Sequence, residues 1–518
     1  MGHHARDRPL EVELKFIFPA GARPMLDRHP AFEASRATPP QTRQLVTTYF
    51  DTSDLALNQH GFTLRVCKSG DQYIQTLKAA DTAEGLAFAR GEWEWPVPTE
   101  TPEAARLAGT PAGLVLRPGT NEVGLTDTKM LVPLFTTDIS RTTRTLHLSG
   151  GTTVEVAIDE GNVQCSAAKE PVHELELELK DGPIGPLYHL ALELHADLPL
   201  RIGVESKSAR GYRLATGQPP DPVKARARPL DRHLSAADGC RQILGAALQD
   251  LLSNRQAATA GAAEGVHQMR IAVRRLRAAI LLFEPHLEPH AFARFTDALR
   301  QLGRILGEAR DWDVFCLETL PTALADPAGE SWRALLEPEA GRTRAEAHEC
   351  VADELARPAF SRLGLGLTAW IEDAAADPRS KAMQGRLTAI MPEALDRLAH
   401  KVAKRGRHIG RRSGPELHAL RKSLKKLRYG VLSVRDLFPN HKVKPYLRHC
   451  KLLQKRLGQI NDAAMAVRLV DQLSRHDRVD LVPALAAVAQ WSTDRHQAAL
   501  RKLPDAWAAF RGATPFWR

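Results

Sequence analysis

The chain has 518 residues, 43% of them hydrophobic and 25% charged, with a net charge of +10, which is too long for one hydrophobic core and too apolar for a disordered chain. No apolar run reaches the roughly 18–20 residues of a membrane-spanning helix, the opening residues lack the apolar region of a secretory signal, and six scattered cysteines without a CxxC pair argue against a disulfide framework or a thiolate zinc site. A cytoplasmic protein is expected, and its charge is unevenly divided: residues 1–220 hold 22 Lys and Arg against 28 Asp and Glu, whereas the remainder holds 49 against 33. So basic a second half calls for a polyanion, whether nucleic acid, anionic lipid or polyphosphate.

From Glu11 to about Tyr212 the pattern alternates with period two: Glu11-Val-Glu-Leu-Lys-Phe16, Phe62-Thr-Leu-Arg-Val-Cys67, Tyr73-Ile-Gln-Thr-Leu-Lys78, Thr153-Val-Glu-Val-Ala-Ile158 and His173-Glu-Leu-Glu-Leu-Glu-Leu-Lys180. These read as β-strands, each with an apolar face opposite a charged one, and so many of them predict a barrel or sandwich. An ordinary solvated sheet would also alternate, but here acids and bases recur in matched blocks. If the sheet closes with those blocks inward, it forms a tunnel lined by carboxylates and cations. Carboxylates hold hard divalent ions through oxygen, and Arg and Lys clamp phosphate oxygens.

At Glu11-Val-Glu-Leu-Lys15 the chain resembles the CYTH, or triphosphate tunnel metalloenzyme, superfamily and its ExExK signature. Tyr49-Phe-Asp-Thr52, Thr63-Leu-Arg-Val, Thr76-Leu-Lys78, Arg90-x-Glu-x-Glu94, Ile158-Asp159, Glu174-x-Glu-x-Glu178 and Ser206-Lys-Ser-Ala-Arg-Gly-Tyr212 follow in the expected order. The resemblance implies an eight-stranded antiparallel β-barrel tunnel over residues 9–215 that attacks triphosphates with Mg²⁺ or Mn²⁺. It makes Glu11, Glu13, Asp159, Glu174 and Glu176 the metal ligands, with Glu92, Glu94 and Glu178 as further candidates. Arg65, Arg90, Arg141, Lys207 and Arg210 would bind substrate, and Lys15 and Lys78 would join Glu11 and Glu13 in catalysis. Where family members often carry a second Arg two residues after Arg65, this chain has Cys67, so that one phosphate contact is either missing or supplied by Arg90 or Arg144. Tyr49 and Asp51 are open between a turn role and a site role.

Alternation stops after the Pro-rich stretch Gly217-Gln-Pro-Pro-Asp-Pro222, and residues 216–232 read as a linker. Helical period then runs to the end, and it repeats: His418 lies 151 residues after His267, and Gly458 lies 151 after Gly307. One shared offset without a gap predicts a duplicated helical domain over 233–510, with copies at about 233–375 and 385–510 folded as two pseudo-symmetric helical bundles. The whole chain would then be an α+β multidomain protein.

At about 100° per residue, His267, Arg270, Arg274 and Arg277 share one stripe of a helix, and His418, Arg421, Lys425 and Arg428 repeat it. Facing stripes would form a basic groove, widened by Arg300, Arg304, Lys451 and Lys455. These motifs, with Leu306-Gly-Glu-Ala-Arg-Asp-Trp-Asp313, resemble the CHAD domain, a helical module often fused to CYTH domains and associated with binding inorganic polyphosphate. Asp311 and Asp313 are expected to cap helices or pair with helix cations.

The combined reading is a metal-dependent inorganic triphosphatase, cleaving triphosphate to pyrophosphate and phosphate, whose helical domain binds polyphosphate. Adenylate cyclase or thiamine triphosphatase activity and a non-catalytic polyphosphate adaptor are the alternatives. Nucleic acid is disfavoured because Tyr429 is alone among the second-copy basic residues.

Overall fold

The computed structural model describes residues 12–34, 37–79, 91–116, 131–225, 228–287, 289–376, 381–474 and 479–518. Two of the expected site residues, Glu11 and Arg90, lie outside them. By internal contacts the chain divides into a unit of residues 1–220 with 358–369, and a unit of 221–357 with 370–518.

The first unit is built on one antiparallel sheet. Its strands are β1 (Val12–Ile17), β2 (Gln41–Asp51), β3 (Phe62–Ser69), β4 (Gln72–Ala79), β5 (Glu92–Val97), β6 (Val132–His147), β7 (Thr153–Gln164), β8 (Lys169–Asp181) and β9 (Arg201–Ile202). Nine strands, and not the expected eight, pair in the order β5-β4-β3-β2-β6-β7-β8-β1-β9. The ninth is a two-residue strand that pairs with the end of β1. Among the described residues the sheet does not close, since β5 and β9 form its two ends, yet it curls far enough for side chains of β1 and β4 to line one cavity. The alternation explains the curl. Leu14, Phe16, Leu175 and Leu177 are at most 2% exposed on one face, and the intervening Glu13, Lys15, Glu174 and Glu176 occupy the other.

Register sets the charged face. Glu13 pairs with Glu178 and Lys15 with Glu176 across β1 and β8, while Glu155 pairs with Glu178 and Asp159 with Glu174 across β7 and β8. Helix α1 (Lys207–Thr216) follows the sheet, its start capped by Ser206 Oγ, which accepts from Ala209 N at 3.1 Å, and its end by Gly217 at φ 65°. Gly211 lets it approach β6, for a Cβ there would lie 2.0 Å from the Phe135 ring.

The second unit is helical, and its boundaries repeat the 151-residue offset. Helices α2 (Ala236–Ser253), α3 (Ala263–Phe283) and α4 (Pro289–Val314) start 151 residues before α6 (Leu387–Arg405), α7 (Gly414–Val434) and α8 (Asn440–Ser474), with α5 (Pro327–Ala356) between the two sets. The copies are not separate bundles. Equivalent helices α3 and α7 pack against one another, and one apolar core takes Trp312, Phe315 and Leu336 from the first copy with Leu469, Leu473 and Leu485 from the second. Among the described residues no helix is long and apolar enough to cross a membrane.

Candidate functional site

In the first unit, Asp159 and Glu174 are fully buried and Glu176 is 8% exposed. Each offers a carboxylate oxygen within 4.8 Å of the others. Three carboxylates out of water would be untenable without cations, and α1 supplies one. The Lys207 ammonium sits 2.7 Å from Asp159 Oδ2, 2.6 Å from Glu174 Oε2 and 2.8 Å from Glu176 Oε1. Arg141 donates from Nε at 2.7 Å and Nη2 at 2.6 Å to the two oxygens of Asp159, and Nη2 also reaches Glu176 at 2.6 Å. Lys15 lies 3.0 Å from Glu176. Burial alone would raise the Glu176 carboxyl, but Lys15, Lys207 and Arg141 outweigh it and hold it well below its ordinary value. Burial likewise opposes the charge on Lys207, and Glu176, Glu174 and Asp159 reverse the effect, keeping the ammonium charged well above its ordinary range.

This network forms one wall of a cavity whose lining also includes Glu13, Tyr49, Arg65, Lys78, Glu155 and Glu178. Seven strands contribute to it. Opposite the carboxylates, Lys78 lies 3.0 Å and Arg65 3.8 Å from Glu92. Ser206, Lys207 and Ser208 bring the start of α1 to the same space, and the positive end of a helix dipole favours anions.

In the second unit the two basic stripes meet as facing walls of a groove. His267, Arg270 and Arg274 of α3 line it together with Arg421, Lys425 and Arg428 of α7. The equivalent arginines are held alike: Arg270 Nη1 donates to Asp311 Oδ1 at 3.1 Å, and Arg421 Nη2 to Asp462 Oδ1 at 3.4 Å. Their Nε groups are both buried without a hydrogen-bond partner, as is Nδ1 of His267. Burial, then Arg274, Arg421 and Arg270, push the Lys425 ammonium down from 10.5 to about 6. Arg274 falls to about 10, chiefly through burial and next through Arg270. The groove is a set of crowded cations with donors left over, which an anionic ligand would satisfy.

Comparison with known proteins agrees with both halves. Residues 9–212 match the CYTH domain and residues 242–471 the CHAD domain. The chain carries a CYTH domain followed by a CHAD domain. It is 29% identical over 175 residues to an inorganic triphosphatase of Haemophilus influenzae, a match covering 34% of this chain and 47% of that one, so the chain spans about half the length of this relative. A crystal structure of the CHAD domain from the plant Ricinus communis covers 57% of the chain and 98% of its own, at 26% identity and a TM-score of 0.51. A Hippeastrum protein, proposed as an adenylyl cyclase and described as revealing a dominant triphosphatase activity, covers 40% of the chain and 97% of its own, at 18% identity and a TM-score of 0.30.

Within the CYTH domain, the structure gathers Glu13, Lys15, Arg65, Lys78, Arg141, Glu176 and Lys207 around the cavity, with Asp159 and Glu174 directly behind. Arg210 differs from the expectation. It is 5% exposed and absent from the cavity lining, donating to Glu174 Oε1 at 2.9 Å and to the Pro171 carbonyl at 3.1 Å, so it fixes a carboxylate from behind. Arg144 lies over the Phe32 ring at 4.9 Å and 3.7 Å from Asp27, lining a neighbouring cavity with Arg43. Cys67 pairs with Thr47 on β2 and offers no cation where the second Arg was expected. Asp51 is structural, accepting from Leu57 N at 2.8 Å, Asn58 N at 2.9 Å and Tyr212 Oη at 2.9 Å, whereas Tyr49 reaches the cavity while stacking on Phe135. Glu155 was missed in the sequence, although it stands on the same strand face as Asp159.

A divalent ion fits this donor set. The Lys207 ammonium marks a position within hydrogen-bond distance of three hard oxygen donors, and Glu13 and Glu178 stand on the same face. Within the CHAD domain, Arg277 and His418 fall outside the groove lining. His418 instead meets Asn461 Oδ1 at 2.8 Å, and Arg300, Arg304, Lys451 and Lys455 are exposed elsewhere. Asp313 is buried and accepts from Arg344 Nε and bonds His348 Nε2, both at 2.8 Å, a structural pin between α4 and α5.

Proposed function

We propose that the CYTH domain is a metal-dependent inorganic triphosphatase that hydrolyses triphosphate to pyrophosphate and phosphate, and that the CHAD domain binds inorganic polyphosphate. The observation that carries the enzymatic reading is the Lys207 ammonium enclosed by Asp159, Glu174 and Glu176, in a cavity that also presents Arg65 and Lys78. Carboxylates and cations converging on one small space suit a ligand that brings both phosphate and divalent metal. When bound there, Mg²⁺ or Mn²⁺ supplies charge neutralisation for the phosphates and Lewis-acid assistance to in-line attack by water.

The protein's own groups do the remaining work. Arg65 and Lys78 grip phosphate oxygens from one wall, with Arg141 and Lys15 facing them. Arg141 is shared between Asp159, Glu176 and the cavity, so it links the position of the carboxylates to that of the substrate. Arg210 holds Glu174 in place, and the apolar backs of β1 and β8 keep the network rigid. Glu13, Glu176, Glu155 and Glu178 occupy the remaining wall, where charge can hold a metal or receive a proton from water.

Phosphate release from triphosphate, pyrophosphate, ATP and thiamine triphosphate, with Mg²⁺, Mn²⁺ or EDTA, tests the enzymatic reading. Release from triphosphate that EDTA abolishes is expected, and hydrolysis of none of the four would overturn it. The polyphosphate reading rests on the paired unsatisfied Nε groups of Arg270 and Arg421. Its test is titration with long-chain polyphosphate in competition with DNA and RNA at fixed salt. Six cysteines without a disulfide fit the reducing cytoplasm in which we place both activities.

A further inference from the structure

The basic groove of the CHAD domain does not end at Arg428. A second cavity of about 440 Å³ begins there, within the roughly 300–1,000 Å³ range of small-molecule sites. It shares Ile271, Arg428 and Tyr429 with the groove, so a single ligand can occupy both.

The two spaces differ in chemistry. The groove holds an excess of cations with unsatisfied donors. The second cavity has an apolar floor of Ile243, Ala246, Ala247 and Leu432, with Lys224 and Arg228 also in its lining, and two of its arginines are already compensated: Arg275 Nη1 lies 2.5 Å from Asp250 Oδ2, and Arg435 Nε 3.4 Å from Asp436 Oδ1. Gln242, Gln268 and Ser433 add hydrogen-bonding groups of both kinds at its edge. Tyr429 stands at the junction, lining both spaces. An inorganic phosphate chain could fill the groove but has nothing to place on an apolar floor. A ligand that suits both has a highly charged chain at one end and a flat, largely uncharged body with a hydrogen-bonding edge at the other.

We propose that the CHAD domain binds nucleoside polyphosphates, with the phosphate chain in the basic groove and the nucleoside in the adjoining cavity against Tyr429. The inference rests on the reading of the groove as a polyphosphate site and extends it to a further class of ligand.

The test uses the full chain in EDTA, so that nothing is hydrolysed, with fluorescently labelled long-chain polyphosphate bound and then displaced by ATP or by inorganic triphosphate at matched ionic strength. ATP carries no more charge than triphosphate, so any advantage comes from the nucleoside. Contact of the base with an aromatic ring and an apolar floor predicts displacement by ATP at a concentration on the order of tenfold lower. Ala246→Phe, which fills the floor without touching the groove, should erase that advantage and leave polyphosphate affinity unchanged. Tyr429→Phe should keep it. Equal displacement by ATP and triphosphate in the unaltered chain, or an advantage that survives Ala246→Phe, overturns the inference while leaving polyphosphate binding intact. Failure of labelled polyphosphate to bind at all overturns the reading beneath it.

Discussion

The two halves solve opposite electrostatic problems. In the CYTH domain's cavity each buried acid of the network has a cation beside it, with Lys207 among three acids and Arg141 between two, so these carboxylates are compensated before any ligand arrives. In the CHAD domain the charges around Lys425 are mostly of its own sign, and burial and neighbouring arginines strip it of its proton near neutrality. A balanced network specifies geometry, and its cost of assembly is met within the fold. An unbalanced one stores affinity for whatever brings the missing charge. The first arrangement suits chemistry, which needs preorganised groups, and the second suits capture.

The largest expected effect comes from breaking the balance of the first site. Glu176→Gln leaves Lys15, Lys207 and Arg141 without a shared counter-charge, and triphosphate turnover should fall by roughly 100-fold or more, measured as phosphate release with saturating Mg²⁺ or Mn²⁺. An unchanged rate would mean that the network is structural only. Next, Arg274→Ala and Arg421→Ala should each weaken polyphosphate binding by about tenfold while leaving triphosphate turnover within error, which checks that the two chemistries are separable.

The pH dependence sharpens the contrast further. An anion favours the charged form of Lys425, so binding must restore a proton lost above about pH 6, and polyphosphate affinity should decline with rising pH, by up to about tenfold per unit. His267, held below the ordinary histidine value by burial and then by Arg310, adds to the dependence only on the acid side. Lys425→Arg isolates the lysine, and should flatten the profile between pH 7 and 8.5. For stability the sign is opposite: a lysine lowered from 10.5 to about 6 contributes fully above its unfolded value and less as pH falls toward 6. The smallest effect is expected from Asp311→Asn, which removes a counter-charge from Arg270 and should tighten polyphosphate binding a few-fold, readable by titration at low salt.

Much of this was legible in sequence because period and offset are local properties. Alternation placed Glu13 and Lys15 on one face of β1 and Glu174 and Glu176 on one face of β8, and the 151-residue offset recurs in the starts of three helix pairs. What the pattern could not give was distance between elements. That Lys207, arriving on a helix after the last strand, would sit between three carboxylates depends on how closely α1 approaches β6, which Gly211 permits. Arg210, three residues on, is turned behind Glu174 by the same helix. The stripe arithmetic named a helix face, but only part of that face meets the partner helix, which is why Arg277 and His418 fall outside the lining. The ninth strand was illegible because two residues carry no period.

The packing of α3 against α7 has a consequence for the kind of molecule the groove can take. Equivalent helices meeting through equivalent stripes make a contact that looks nearly the same when its two partners are exchanged, so a rod lying between them meets similar groups whichever end leads. A chain of identical phosphates has no direction, and both of its orientations fit such a groove. The likeness is broken where Tyr429 stands in place of Ala278, and a groove marked at one end can hold a directionless chain either way round while fixing the orientation of a ligand whose ends differ.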